Sequence, residues 1–163
     1  MKKIGLCIIP LVVVMGCASA PTNPGGGNND GTAQAAKLAK DLNALRAGRA
    51  VVKGGTVTLS GRAELKTALT VPEGVTLDLT QEGAALELQD GAVLTVNGTV
   101  KTSGHGDHGK GWVEGSLRVG DGAAVIAGGG TINLKSKGRL LNIGSDKGSR
   151  KLTLDGVTLV GLP

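Results

Sequence analysis

The chain has 163 residues and a formal charge of +5, with 18 Lys and Arg against 13 Asp and Glu; Phe and Tyr are absent, Trp112 is the single aromatic, and Gly fills 29 positions. A mild, scattered positive excess with almost no aromatic faces argues against a nucleic-acid interface and against a sugar-stacking platform, both of which rely on aromatic rings. The length fits one domain, and abundant Gly with Leu, Val, Ala and Ile suits many short strands joined by tight turns.

Lys2 and Lys3 precede an apolar stretch of twelve residues, Ile4 to Met15, broken by Gly5 and Pro10. That is the length of a signal-peptide apolar region and well short of the about 20 residues a membrane-spanning helix needs. Val14-Met15-Gly16-Cys17 closes the stretch. Residues 1–17 resemble bacterial lipoprotein signals with a lipobox, in position, charge, length and tetrapeptide. The resemblance implies removal of residues 1–16, a diacylglyceryl thioether on Cys17 and often a third acyl chain on the freed amine. Two or more chains anchor stably, at about 0.8 kcal/mol per buried methylene. Membrane lipid is therefore the expected partner at Cys17, in the cell envelope. Ala18 in the next position favours the outer over the inner membrane where lipoproteins are sorted by that residue. The competing reading is an ordinary signal peptide cut at Ala18-Ser19-Ala20. Removal of residues 1–16 would leave 147 residues with a charge of +3, and Cys7 would go with the leader. The exported domain is then expected to hold together without disulfides.

Residues 17–31, with Pro21, Pro24, Gly25-Gly26-Gly27 and Asn28-Asn29, read as a flexible tether. Residues 32–48 read as an amphipathic capping helix. Leu38, Leu42 and Leu45 repeat at i, i+4 and i+7, Ala35 extends the stripe, Asp30 or Thr32 is placed to N-cap, and Gly48 suits the position after the helix. Residues 49–163 then alternate with a period of two. Val57/Leu59, Leu69/Val71, Val75/Leu77/Leu79, Leu86/Leu88, Leu94/Val96, Leu117/Val119, Ile132/Leu134, Leu141/Ile143, Leu152/Leu154 and Val157/Leu159 each read as a short strand. Gly74, Gly83, Asp90-Gly91, Asp121-Gly122, Gly128-Gly129-Gly130 and Asp155-Gly156 punctuate them. The expected class is all-β.

Leu77, Val96, Val119, Leu141 and Leu159 follow one another in steps of 19, 23, 22 and 18 residues, near the repeat of a three-strand solenoid coil. The phrases Gly130-Thr131-Ile132, Leu141-Asn142-Ile143 and Leu152-Thr153-Leu154-Asp155-Gly156-Val157-Thr158-Leu159 are similar to right-handed parallel β-helix proteins of the pectate-lyase-like superfamily, over about residues 54–163. That resemblance implies a solenoid with the helix as its N-terminal cap, open and incomplete at the other end unless the chain continues or two copies join end to end. The alternative is an antiparallel sandwich, for which Asn97-Gly98 is the strongest hairpin signal.

Gly104-His-Gly-Asp-His-Gly-Lys-Gly-Trp112 breaks the strand rhythm and holds both histidines. It matches a dinucleotide fingerprint and a P-loop only superficially: no helix follows, and Gly111 stands where a P-loop needs Ser or Thr. His105, Asp107 and His108 are candidate metal ligands, set against a plain surface loop. Trp112 reads as a shield for a strand end, or as a lone contact residue. Asp78, Glu87, Asp90, Asp107, Asp121, Asp146 and Asp155 are scattered. Lyases of the similar fold pair acidic clusters with Arg or Lys, and Arg118 and Arg150 are available, yet no spacing selects a catalytic set. The reading is therefore an envelope lipoprotein whose solenoid is a surface binding or structural module for a surface glycan or protein ligand. It involves no cofactor and no nucleic acid. The alternative is a fragment of a β-helix carbohydrate-active enzyme, a polysaccharide lyase or hydrolase.

Overall fold

The computed structural model describes residues 29–106, 113–135 and 150–161; the leader with Cys17, and the expected strand at Leu141/Ile143, lie outside the described residues. The chain opens with α1 (Asn29–Asn43) and β1 (Arg49–Lys53). There follow β2 (Thr56–Ser60), β3 (Arg62–Leu65), β4 (Ala68–Val71), β5 (Thr76–Leu79), β6 (Ala85–Leu88) and β7 (Val93–Val96). The remainder is β8 (Thr99–Gly106), β9 (Val113–Gly115), β10 (Leu117–Val119), β11 (Gly122–Ala127), β12 (Thr131–Lys135), β13 (Arg150–Asp155) and β14 (Thr158–Val160).

From β2 to β12 the strands visit three sheets in rotation, the β9 hairpin aside; β13 then joins the third sheet and β14 the first, with no described strand on the second sheet between β12 and β13. One sheet runs β1-β2-β5-β8-β12-β14, with β9 on β8; a second runs β3-β6-β10; the third runs β4-β7-β11-β13. Every neighbour pair is parallel except the β1–β2 and β8–β9 hairpins. The all-β reading with one N-terminal helix therefore holds, and the antiparallel sandwich does not. Asn97-Gly98 links β7 to β8 in a different sheet, so it forms a corner and not a hairpin.

Alternation sends every second side chain inward. On the first sheet the inward file is Val57, Leu77, Val100, Ile132 and Leu159. Its steps are 20, 23, 32 and 27 residues. The expected file through Val96 and Val119 is thus corrected: Val96 pairs with Val71 and Val119 with Leu88, each in another sheet. The extra length in the third step goes into a hairpin arm between β8 and β10. Leu59, Leu65, Leu77, Leu79, Leu86, Leu88, Leu94, Leu117, Ile126 and Ile132 are all fully buried in one continuous cluster. Each such side chain contributes about 1.5–3 kcal/mol relative to exposure.

The helix joins the same core. Ala35, Leu38, Ala39 and Leu42 are its buried stripe, at the i, i+3, i+4, i+7 spacing of one face, and α1 packs on β1, β2 and β4. It begins at Asn29 and ends at Asn43, earlier at both ends than expected. Asp30 and Thr32 accordingly fall in its first turn, where Asp30 complements the helix dipole, and Leu45 meets the core from the turn that follows. The left-handed residue there is Ala47, at φ 58°, and not Gly48. Gly48 is demanded by contact instead: a Cβ at that position would meet the Leu42 carbonyl oxygen at 2.1 Å. The Asn43 side chain ties helix to sheet, accepting from the Ala50 N–H at 2.7 Å and donating to the Ala50 carbonyl at 3.1 Å.

Two inward positions make the packing testable. A Cβ on Gly98 would lie 2.2 Å from both the Pro72 and Val75 carbonyl oxygens, whereas one on Gly129 meets nothing within 4 Å. Gly98→Ala is expected to lower stability by about 1–3 kcal/mol in urea titration, while Gly129→Ala leaves the midpoint nearly unchanged. Thr102 occupies the inward file Leu79, Thr102, Leu134, is fully buried, and its hydroxyl has no hydrogen-bond partner among the described residues. Thr102→Val removes that desolvated hydroxyl at nearly constant volume and is expected to raise stability by about 1 kcal/mol in the same titration.

Candidate functional surface

The same register that aligns the core aligns the outward side chains. On the first sheet, Thr56, Thr76, Thr99, Thr131 and Thr158 occupy successive strands at one position. Strand spacing of about 4.8 Å makes this a file of hydroxyls and methyls about 19 Å long. Threonine suits the position, since its branched side chain packs well on a pleated face. Two residues along each strand the outward file is Thr58, Asp78, Lys101, Asn133 and Val160. Asp78 and Lys101 there are neighbours of opposite charge. Asp78 is also engaged locally: its Oδ1 accepts from the Thr80 N–H at 2.9 Å and the Thr80 hydroxyl at 2.6 Å.

The second sheet carries a charged file, Glu64, Glu87 and Arg118. Two carboxylates on adjacent strands repel, and their surroundings offset this. Lys66 Nζ lies 3.8 Å and Arg46 Nη1 4.0 Å from Glu64, and Gln89 Nε2 donates to Glu87 Oε1 at 3.0 Å. Arg118 is the next residue in the file. Glu87 and Arg118 were visible as scattered charges in the sequence, and the fold brings them together; Glu64 was missed. Its signal was there: Glu64 lies between Ala63 and Leu65 as Glu87 lies between Leu86 and Leu88.

The other predicted residues are dispersed. Asp90 Oδ1 accepts from the Ala123 N–H at 2.8 Å, and Asp121 pairs with Arg150 Nε at 3.0 Å. The Asp-Gly pairs do form turns, with Gly91, Gly122 and Gly156 at positive φ. Asp155 is exposed on β13. Asp146 lies outside the described residues.

Of the histidine segment the structure describes Gly104 to Gly106, and these lie on a strand where a loop was expected. β8 runs beyond its sheet and pairs antiparallel with β9, Gly104 with Gly115, His105 with Glu114, and Gly106 with Val113. His105 therefore stands on a strand. Asp107, His108 and Trp112 lie outside the described residues. The base of this arm is tied by buried Ser116, whose N–H donates to the Ser103 carbonyl at 2.9 Å and whose Oγ accepts from the Ser103 N–H at 3.0 Å. Among the described residues no group of three His, Cys, Asp or Glu is placed to hold a metal ion. An open groove of about 300 Å³ runs between α1 and β4, with Gln34, Leu38, Leu69 and Pro72 in its walls. Among the described residues no helix is long and apolar enough to cross a membrane.

Comparison with protein-family models, curated proteins and solved structures gives no match.

The charged file gives a measurable consequence. Arg118→Glu would place three carboxylates side by side, and is expected to cost about 0.5–1 kcal/mol at low salt. The deficit should shrink in 1 M NaCl, where screening falls to about 3 Å. Urea midpoints at the two salt concentrations check this.

Proposed function

We propose that this protein is a lipid-anchored component of the bacterial cell envelope, more specifically of the outer membrane. In this reading the strands wind as a right-handed parallel β-helix that serves as a surface binding or structural module. Cys17 is the acylated residue, and membrane lipid is the partner at that end. A surface glycan or a protein ligand is the partner along the strands.

The threonine file carries the reading. Five like side chains at one position on successive strands form a regular linear surface, suited to an extended partner contacted at many equivalent points. Visits to the three sheets in fixed rotation, with a helix packed on the first strands, support the solenoid. The right-handed sense follows the general preference of parallel crossover connections. The charge of the leader, its apolar length and Val14-Met15-Gly16-Cys17 support the anchor.

A second reading, a carbohydrate-active enzyme of the β-helix class, draws on the Glu64, Glu87, Arg118 file. Two carboxylates on adjacent strands beside a guanidinium have the elements of acid–base chemistry on a glycosidic bond. Turnover of an acidic polysaccharide that is abolished by Glu87→Gln would favour it over the module.

The anchor is tested by metabolic labelling with an alkyne palmitate in a bacterial host. The parent chain is expected to take up label and to partition with detergent-extracted membranes. Cys17→Ser should lose essentially all label and retain residues 1–16. Equal labelling of the two chains, or cleavage after Ala20 in the parent, would show an ordinary exported protein instead.

A further inference from the structure

The last strand of the third sheet presents an unusual edge. Leu152 and Leu154 of β13 stand opposite Ala124 and Ile126 of β11. Ala124 and Ile126 are buried, but Leu154 is 42% exposed and Leu152 only half-buried. Their side chains point inward on a strand that is outermost among the described strands of its sheet, and the exposure of Leu154 leaves that flank to water.

Among the described residues no strand pairs with the outer backbone of that edge. The Gly128 N–H donates to the Asp155 carbonyl at 3.0 Å, so the carbonyl of Asp155 points toward β11. Backbone groups alternate sides along a strand as side chains alternate faces. Lys151, Thr153 and Asp155 therefore bond toward β11, and Leu152 and Leu154 turn their N–H and C=O groups to the side on which no described strand lies. Unpaired edges of this kind are templates for pairing with another strand.

We propose that β13 pairs antiparallel with β13 of a second copy of this chain about a two-fold axis through Thr153. In that register Leu152 faces the partner's Leu154 and Leu154 the partner's Leu152. These are the residues whose N–H and C=O groups point away from β11, so both pairs close as hydrogen-bonded pairs, and the apolar interior runs through the junction. On the outer face Lys151 meets the partner's Asp155, and Asp155 the partner's Lys151. Sliding by two residues in either direction loses one of these matches. With Leu152 opposite itself, Lys151 meets Thr153. With Leu154 opposite itself, Asp155 meets Thr153. Backbone phase, apolar match and charge match thus select one register. A C2 contact is also self-complementary, as the commonest homodimers require.

The two-fold places Thr153 against its own copy in a non-hydrogen-bonded pair, where Cα atoms lie about 4.5 Å apart, within disulfide range. The experiment uses the whole chain in host membranes, with mild oxidation and non-reducing gels. Thr153→Cys is expected to give a reducible species of twice the mass that is absent from the parent chain, whose own Cys7 and Cys17 serve as background. Lys151→Cys, whose two copies would sit four residues out of line, is expected to give none. Adding Lys151→Glu to Thr153→Cys turns two attractions into repulsions and should cut the linked fraction roughly tenfold. Adding Asp155→Lys as well should restore it. All these side chains are exposed, so the core stays intact. A Thr153→Cys chain that remains monomeric would overturn the proposal. So would Lys151→Cys linking equally well, as in random collision, or a double swap that fails to restore linkage.

Discussion

The register of the first sheet is set by one inward file, Val57, Leu77, Val100, Ile132 and Leu159. A slip of one residue in any of these strands would turn a threonine inward and an aliphatic side chain out, at about 1.5–3 kcal/mol for each exposed aliphatic. The penalty is repeated on every strand, so the file is held far more firmly than the short strands would be alone. What lies on the outside inherits that order. The threonines are aligned because the aliphatics beside them are.

Parallel pairing adds a requirement at the corners. Strands in one sheet stack at a fixed spacing, so the backbone between sheets must stack too. At the corner leading into the first sheet, Gly98 lies against the carbonyls of Pro72 and Val75, and a Cβ on Gly130 would meet the Gly98 carbonyl at 2.3 Å. The Gly130 N–H donates to Val96 and the Thr131 N–H to Gly98, at 2.8 and 2.9 Å. Backbone thus packs on backbone with no room for a side chain. Where the chain departs from this rhythm it leaves the stack altogether. The end of β8 pairs with β9 before the chain enters the second sheet, and Ser116 ties the base of that pair to Ser103.

Much of this was legible, and the failures have physical causes. The strands with two or more inward aliphatics, such as Leu77/Leu79 and Leu94/Val96, were readable from alternation alone. β3 carries only Ala63 and Leu65 inward, β11 is largely alanine, and β8 places Thr102 in the core file; these were missed because their inward positions are small or polar. The register was misread because leucine recurs on all three sheets, so aliphatic spacing cannot tell one sheet from another. A sharper mark was present: Thr56-Val57, Thr76-Leu77, Thr99-Val100, Thr131-Ile132 and Thr158-Leu159 each follow Gly or Val, and that phrase belongs to one sheet only. The like flanks of Glu64 and Glu87 were visible, but the file they form with Arg118 could not be assembled from the sequence, since its members stand 23 and 31 residues apart and meet only once the register is known.

The first and last described layers of the strand stack differ. At one end the stripe of Ala35, Leu38, Ala39 and Leu42 covers the first strands. At the other, Leu154 and Val160 remain 42% and 45% exposed. If two copies join through β13, their helices lie at opposite extremes of the dimer. If Cys17 is acylated as proposed, residues 17–28 between it and the helix span at most about 40 Å when fully extended. For both anchors to enter one bilayer, the joined stack must then lie along the membrane, not stand on it. In that attitude a threonine file from each copy runs parallel to the surface. The junction at β13 and the anchor at Cys17 would together decide what the outward files can reach: partners spread along the envelope plane, not partners approached end-on.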